Sequence, residues 1–284
     1  MLINVNNDQN LTTYNMSENM NHMAKKLPSA ARQALIRNRF SQQLGVSISE
    51  LAAEFAVSEM TIRRDLDALE RKAQIQRTHG GAVLTERMMF EFDYRERRER
   101  NRAEKCAIAV EARKLVVPGQ RLILDNGTTS LELASLLKDG ERLTVVTPSL
   151  AVASELQHAQ GVEVVLLGGI LREGSPDLTG PVTEHCLEMF AVDIAFQGAD
   201  AIGEDGSIYN SDLRLARVDK AMRRVAAQSC ILADHTKFGH TALGRSGSLA
   251  DVDLLITDAG APPALLKRFS RLGAKIVTVP LPVA

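Results

Sequence analysis

Residues 57–69, Val-Ser-Glu-Met-Thr-Ile-Arg-Arg-Asp-Leu-Asp-Ala-Leu, most constrain what this chain can fold into. They open as a turn and continue as an amphipathic helix whose early exposed face carries Thr61, Arg63 and Arg64. Ser58 is placed to cap that helix, with Glu59 and Met60 in its first turn. Upstream, Ser47 and Glu50 have the spacing of a capping box, in which both side chains satisfy backbone N–H groups at a helix start. A shorter helix therefore begins there, runs through Leu51, Ala52 and Phe55, and breaks at Ala56-Val57. Two short helices joined by a tight turn make a helix-turn-helix, whose second helix enters the major groove with its N-terminal residues toward base edges. A plain helical hairpin is the alternative for this pattern taken alone.

The flanks add a third helix and a wing. Residues 29–43 place Ala31, Leu35, Ile36 and Phe40 near helical spacing for one apolar face, which supplies the third side of a small core. After the reading helix, residues 75–77 and 82–84 read as two short strands around a glycine turn at 78–81. Arg77 and His79 then stand where a wing touches phosphate or the minor groove. The residues assigned to DNA contact are Ser47, Ser58, Glu59, Met60, Thr61, Arg63, Arg64, Arg77 and His79.

The runs Glu50-Leu51-Ala52, Val57-Ser58, Thr61-Ile62-Arg63-Arg64-Asp65-Leu66, Leu69-Glu70 and Arg77-Thr78-His79-Gly80-Gly81-Ala82 together resemble the DeoR family of bacterial transcription regulators. The resemblance extends from about Arg32 to the end of the chain. It implies a winged helix-turn-helix joined to a C-terminal sensor of sugar phosphates, the sensor being similar in fold to sugar-phosphate isomerases. Where the family pattern has a glycine, this chain has Lys72-Ala73-Gln74, so the reading helix is expected to end less sharply.

At 284 residues the chain exceeds one typical domain of roughly 100–150 residues. The expected division is a disordered tail at 1–27, the winged helix-turn-helix at 28–84, a linker helix at 85–105 and the sensor at 106–284. The tail is rich in Asn and Met without periodicity, and Met16, Met20 and Met23 are alternative start positions. A net charge of −1 excludes a globally cationic nucleic-acid coat, so DNA affinity must come from a local patch. In the winged module Arg32, Arg37, Arg39, Arg63, Arg64, Arg71, Lys72 and Arg77 face Glu50, Glu54, Glu59, Asp65, Asp67 and Glu70, only a mild excess. Few neutralised phosphates per module mean weak binding alone, so a homodimer or homotetramer is expected.

Cys106, Cys186 and Cys230 are widely spaced with no Cys-x-x-Cys pair, which supports neither a disulfide framework nor a zinc site. No run of 18 apolar residues and no secretory signal is present, so the expectation is a cytoplasmic protein without membrane, metal or cofactor. The segment Arg95-Glu96-Arg97-Arg98-Glu99-Arg100 has the mixed charge of an exposed helix. Its arginines either face solvent or touch DNA flanking the site; in both cases the segment joins reader to sensor.

From Cys106 on, short apolar runs alternate with helical patterns, the writing of a mostly parallel α/β sheet. Strands are expected at 122–124, 144–147, 162–167, 193–197, 230–233, 254–257 and 275–279. Ligands bind such sheets at the carboxyl ends of the strands. The first such end, Asp125-Asn126-Gly127-Thr128-Thr129-Ser130, leads into a helix and offers backbone N–H groups and hydroxyls to an anion, or serves as a plain N-cap. Asp125 would repel phosphate beside it but can accept from sugar hydroxyls. Asn126 stands where similar sensors have serine. A second end, Ala233-Asp234-His235-Thr236-Lys237-Phe238-Gly239, brings Lys237 as a mobile cation. Gly198-Ala199-Asp200 follows another strand and either admits a ligand or turns the chain, while Gly168-Gly169 is read as a turn. Asp212 either binds a sugar hydroxyl or caps the helix after it. The effector-binding set is therefore Asp125, Asn126, Gly127, Thr128, Thr129, Asp212 and Lys237.

The helix after Asp212 departs most from the family: Leu215 stands in place of a glutamate and Asp219 in place of a lysine. The effector is then expected to differ, toward a sugar acid or its phosphate, with Arg214 as a candidate for an extra anionic group. The function expected is repression of a carbohydrate or sugar-acid operon, with operator DNA released by a small phosphorylated sugar or sugar acid. The rival is a residual isomerase or hydrolase using Asp125 or Asp212 as base; no catalytic residue is assigned.

Overall fold

Apolar side chains before residue 85 close one small core and those after residue 105 close a larger one, so the chain divides into two units, Met1–Asp93 and Tyr94–Ala284. The computed structural model describes residues 27–39, 45–71, 75–78, 80–84, 94 and 96–281. The expected tail up to residue 26, Phe40, the 72–74 stretch, His79 and linker residues 85–93 and 95 lie outside the described residues.

The first unit has helix α1 (Ser29–Arg39), strand β1 (Gly45–Ser47), helices α2 (Ile48–Glu54) and α3 (Glu59–Arg71), and strands β2 (Ile75–Arg77) and β3 (Gly81–Leu84). Ile36, Leu51, Phe55, Ile62, Leu66, Leu69 and Ile75 fill its core. The inward face of α1 differs from the expected one, because Leu35 is 43% exposed while Arg32 and Ile36, one turn apart, point inward. A charged residue belongs inside here because Asp65 on α3 awaits it, with Arg32 Nε 2.5 Å from Asp65 Oδ2. Ala56 takes the left-handed backbone (φ 50) that turns α2 into α3. The wing has three antiparallel strands, ordered β1-β3-β2, rather than two. β1 escaped the sequence reading because its last residue is also the N-cap of α2. A Cβ on Gly81 would lie 1.9 Å from the Val46 carbonyl oxygen, so only glycine lets β3 reach β1 there.

In the second unit seven parallel strands form one sheet in the order β15-β14-β12-β9-β4-β5-β6. They are β4 (Arg121–Leu124), β5 (Asp139–Thr147), β6 (Gln160–Leu166), β9 (Val192–Gln197), β12 (Ala226–Leu232), β14 (Leu254–Asp258) and β15 (Ile276–Val279), the seven expected from sequence. Both faces are covered: Leu122 and Leu124 pack on helices α4 (Arg102–Arg113), α5 (Thr128–Ser135) and α6 (Leu150–Leu156), while Ile123 packs with Leu187, Val218 and Met222 on the other side. Leu187 ends α7 (Pro181–Leu187); Val218 and Met222 belong to α8 (Leu213–Val225). A hairpin, β7 (Ile170–Leu171) with β8 (Leu178–Thr179), and an antiparallel trio of β10 (Ala201–Ile202), β11 (Ser207–Asn210) and β13 (Gly244–Ser248) are additions that short runs with turn residues did not reveal.

The expected linker helix is not continuous among its described residues. A helical segment at 96–99 stops at Asn101, which adopts the left-handed conformation (φ 52), and α4 starts afresh. Tyr94 and residues 96–105 belong to the second unit: Tyr94 lies on its core and Lys105 is buried. Among the described residues no helix is long and apolar enough to cross a membrane.

Candidate DNA-reading face and ligand cavity

In the first unit, α3 buries Ile62, Leu66 and Leu69 and turns Met60, Arg63 and Arg64 outward. Arg63 is 45% exposed, 3.5 Å from Glu59 one turn earlier. Ser58 caps the helix: the Thr61 N–H donates to Ser58 Oγ at 3.2 Å, and the two hydroxyls lie 2.9 Å apart. Ser47 forms the complete capping box with Glu50, donating from its N–H to Glu50 Oε2 and accepting the Glu50 N–H at 3.1 Å. Ser47, Ser58 and Thr61 thus hold the helix starts, whatever else their hydroxyls touch. Arg77 in the wing is ion-paired to Asp67 of α3, and its N–H donates to Glu70 Oε1 at 3.0 Å. His79 lies outside the described residues.

Behind this face, Asp65 accepts from Ser29, Gln33 and Arg32. Burial pushes its carboxyl up, but these three donors outweigh burial and hold it below the ordinary value. An aspartate in the motif that sequence alone would place with the exposed charges is therefore the bolt between α1 and α3.

In the second unit a cavity of about 300 Å³ lies where β4, β9 and β12 end side by side. From β4 the chain moves to β5 and β6 on one side, and later to β9, β12, β14 and β15 on the other. The loops after β4 and β9 diverge at that reversal and leave a crevice, the position where open α/β sheets take ligands. Asp125, Asn126, Gly127, Thr128 and Thr129 line it after β4, and Lys237 after β12, so six of the seven effector-site residues read from sequence share this wall. Asp212 stands apart from the lining. It caps α8 and accepts from the Arg214 backbone at 2.8 Å and from the Arg214 guanidinium at 2.7 Å, which also occupies Arg214.

Asp125 is the keystone of the crevice. Its carboxylate accepts the Gly127 N–H at 2.9 Å and the Gly198 N–H at 2.5 Å, joining the two diverging loops. A Cβ on Gly127 would sit 3.0 Å from Asp125 Oδ1, so glycine permits this close wrap. Burial raises the Asp125 carboxyl above its ordinary value, against the pull of the donors around it. Gly127 leads into α5, and Gly127, Thr128 and Thr129 at its start line the cavity. Asp200 accepts the Ser211 N–H and hydroxyl at one carboxylate oxygen, both at 2.7 Å. Asp234 accepts from Thr236 and, at 3.1 Å, from Asn101 Nδ2; burial works to raise it, and these bonds with nearby Lys237 bring it below normal. The three carboxylates thus build the loops, while Lys237 and Arg100 line the crevice with charge of the opposite sign.

Sequence reasoning did not identify Arg97, Arg100, Asn101 and Lys105, which form another wall. They sit in the stretch read as a linker, and its dense charge was the one signal available. Arg172 also lines the cavity, paired with buried Asp177 at 2.7 Å. Leu215, noted above for its missing carboxylate, lines the cavity as an apolar spot. Asp219 lies buried behind the wall, where Asn210 Nδ2 donates to it at 2.8 Å. Burial, then the charge of Asp125, pushes its carboxyl up to about 7, with Arg223 opposing.

Two family models match the chain: a DeoR-like helix-turn-helix domain over residues 32–88 and a DeoR C-terminal sensor domain over residues 100–259. The chain is 38% identical over 252 residues to an uncharacterized HTH-type transcriptional regulator of Bacillus subtilis, covering 89% of this chain and 97% of that one. It is 31% identical to a putative aga operon transcriptional repressor of Escherichia coli O157:H7, over 88% of this chain and 94% of the other. It is 33% identical to the glycerol-3-phosphate regulon repressor of Escherichia coli K12, over 80% and 89% respectively. Among solved structures, ribose 5-phosphate isomerase A of Methanocaldococcus jannaschii aligns with 47% of this chain and 53% of its own, at 20% identity and a TM-score of 0.36.

Proposed function

The chain belongs to the DeoR family of DNA-binding transcriptional repressors, and from that premise we propose that it governs a carbohydrate or sugar-acid catabolic operon and leaves its operator when a small phosphorylated sugar or sugar acid enters the cavity. It is a regulator, not an enzyme. Asp125, the candidate base of the rival isomerase reading, is occupied by two backbone N–H groups.

The observation that carries the proposal is the cavity itself. Each of its carboxylates Asp125, Asp200 and Asp234 accepts hydrogen bonds from loop backbone or hydroxyl groups, while Lys237, the start of α5 and the hydroxyls of Thr128 and Thr129 offer donors. Such a lining favours an anion carrying hydroxyls. A relative named for the glycerol-3-phosphate regulon supports a phosphorylated small molecule in this role. Arg63 and Arg64 contact guanine or phosphate, and Thr61 a base edge or phosphate. Because the winged module holds few cations, two or four copies act together on repeated half-sites. A coupling of roughly 1–3 kcal/mol between sites would change DNA affinity about 5- to 150-fold, enough for a switch.

Fluorescence anisotropy of a labelled duplex from the region upstream of the protein's own gene tests this, with and without a panel of phosphorylated sugars and sugar acids. Specific binding released by one compound supports the reading. Equal affinity for any DNA, untouched by every compound, refutes it.

A further inference from the structure

Lys220, Arg223 and Arg224 follow one another at three- and four-residue spacing on α8 and so share one face of it. Arg245 of β13 joins them around a cleft of about 410 Å³. Among the described residues, Asp251 is the one carboxylate lining it. The Arg223 guanidinium is fixed there, donating from Nη1 to Gln197 Oε1 at 3.0 Å and from Nη2 to the Ser246 carbonyl oxygen. Both partners are neutral, and burial lowers Arg223 from its ordinary value against the help of Asp219 and Asp251. Gly247 makes the room, because a Cβ there would lie 3.0 Å from Arg223 Nη2. Lys220, Arg224 and Arg245 have no ion pair among the described residues, whereas Arg121, Arg214 and Arg217 of the same unit each hold a carboxylate.

The end of α8 accounts for part of this charge. A helix C-terminus carries roughly half a negative charge, which Arg223 and Arg224 in the last turn offset. Lys220 lies more than a turn from that end and Arg245 belongs to another element, so a positive surplus of about two to three charges remains. No lining side chain is aromatic or aliphatic, so the cleft selects by charge rather than by an apolar body. A phosphate group carries about −1.5 to −2 at neutral pH, and two joined phosphates match the surplus better than one. From these residues we infer that the cleft between α8 and β13 is an anion site for a small ligand with two neighbouring phosphate groups. It shares no lining residue with the cavity at the strand ends and does not depend on what that cavity binds. Gln197, which holds Arg223, is itself held by donating from Nε2 to the Asp219 carbonyl oxygen at 3.0 Å. The guanidinium is therefore ordered before the ligand arrives, which lowers the entropic cost of binding.

The test titrates the full chain calorimetrically with pyrophosphate and with inorganic phosphate, in the absence of divalent metal. Wild type is compared with Arg245→Ala, Gly247→Ala, Lys267→Ala and, to silence the strand-end cavity, Lys237→Ala. Pyrophosphate should bind more tightly than phosphate, and Arg245→Ala should weaken it about tenfold or more. Gly247→Ala removes no charge but pushes Arg223 aside, and should weaken binding as well. Lys267 is exposed outside the cleft, and Lys267→Ala should bind as wild type does. Pyrophosphate binding that survives in Arg245→Ala unchanged overturns the inference. An equal loss in Lys267→Ala overturns it too, assigning binding to overall charge, and complete loss in Lys237→Ala does so by placing pyrophosphate in the other cavity. No saturable binding by the wild type at millimolar pyrophosphate also overturns it; weaker salt-sensitive binding of random duplex by Arg245→Ala would then assign the cleft to DNA phosphates. Arg245→Ala decides even if Gly247→Ala does not fold.

Discussion

Asn101 donates from Nδ2 to Asp234 Oδ1 across 3.1 Å, tying the left-handed turn before α4 to the loop that presents Lys237. It also donates to Thr236 Oγ1 at 3.3 Å. Asparagine suits the turn because its side chain tolerates the left-handed region, which costs most residues roughly 1–2 kcal/mol. Asn101→Ala should therefore lose both bonds and strain the backbone, destabilising the second unit by about 1–3 kcal/mol. Asn101→Gly should restore the backbone part alone. Urea unfolding of the three proteins checks this, and equal midpoints for all three would mean the turn is not held by Asn101.

Arg32→Met and Arg63→Ala should both abolish operator binding, for different reasons. Removing Arg32 leaves the Asp65 carboxylate buried without its main partner, a change that typically costs 3–5 kcal/mol, so the winged module should unfold at lower temperature. Arg63 is exposed, and its loss should abolish specific DNA binding with the melting temperature held. Calorimetry beside anisotropy separates the two outcomes; unchanged operator affinity in Arg63→Ala would remove that residue from the reading face.

The same pair sets an acid limit. Asp65 is held below its ordinary value of 3.8 in the folded chain, so its contribution to stability is complete above about pH 4. It is lost as pH falls through the folded value, because the unfolded chain takes up the proton first. Asp65→Asn should flatten this part of the acid unfolding curve of the first unit, whereas a curve as steep as that of the wild type would assign the acid transition to other groups.

Asp219 works in the opposite direction. Its folded carboxyl stands at about 7 against 3.8 in the free side chain, so between those values the folded chain binds more protons than the unfolded one. Stability of the second unit should then fall as pH rises from about 4 to about 7, by roughly 2–4 kcal/mol, and change little from this source above that. Asp219→Asn should remove the slope while keeping a partner for Asn210. Denaturation midpoints at pH 5 and pH 7.5 measure it, and a slope retained in the variant would point to Asp125, whose carboxyl burial also raises.

The sequence told most where one local rule acts alone. Ser47 and Glu50 announced a helix start through capping chemistry, and seven apolar runs announced the seven parallel strands, the central ones buried on both faces. Residues 125–129 and 237 could be grouped because they follow strand ends, which a parallel sheet brings to one side. Asp65 and Lys105 were out of reach, since each is a charged residue in a charged stretch whose inward direction depends on a distant partner. Leu35 was misplaced on α1 because the helix rotates to deliver Arg32 to Asp65. The break at Asn101 was hidden as well, because an asparagine between two arginine-rich segments carries no local sign that its backbone turns left-handed.

Operator anisotropy titrated with the releasing compound, for wild type and Lys237→Ala side by side, tests ligand gating most directly. The cavity account predicts equal affinity of the two proteins for DNA alone, and release of Lys237→Ala only at ligand concentrations at least about tenfold higher. Release of both proteins at the same ligand concentration would contradict it.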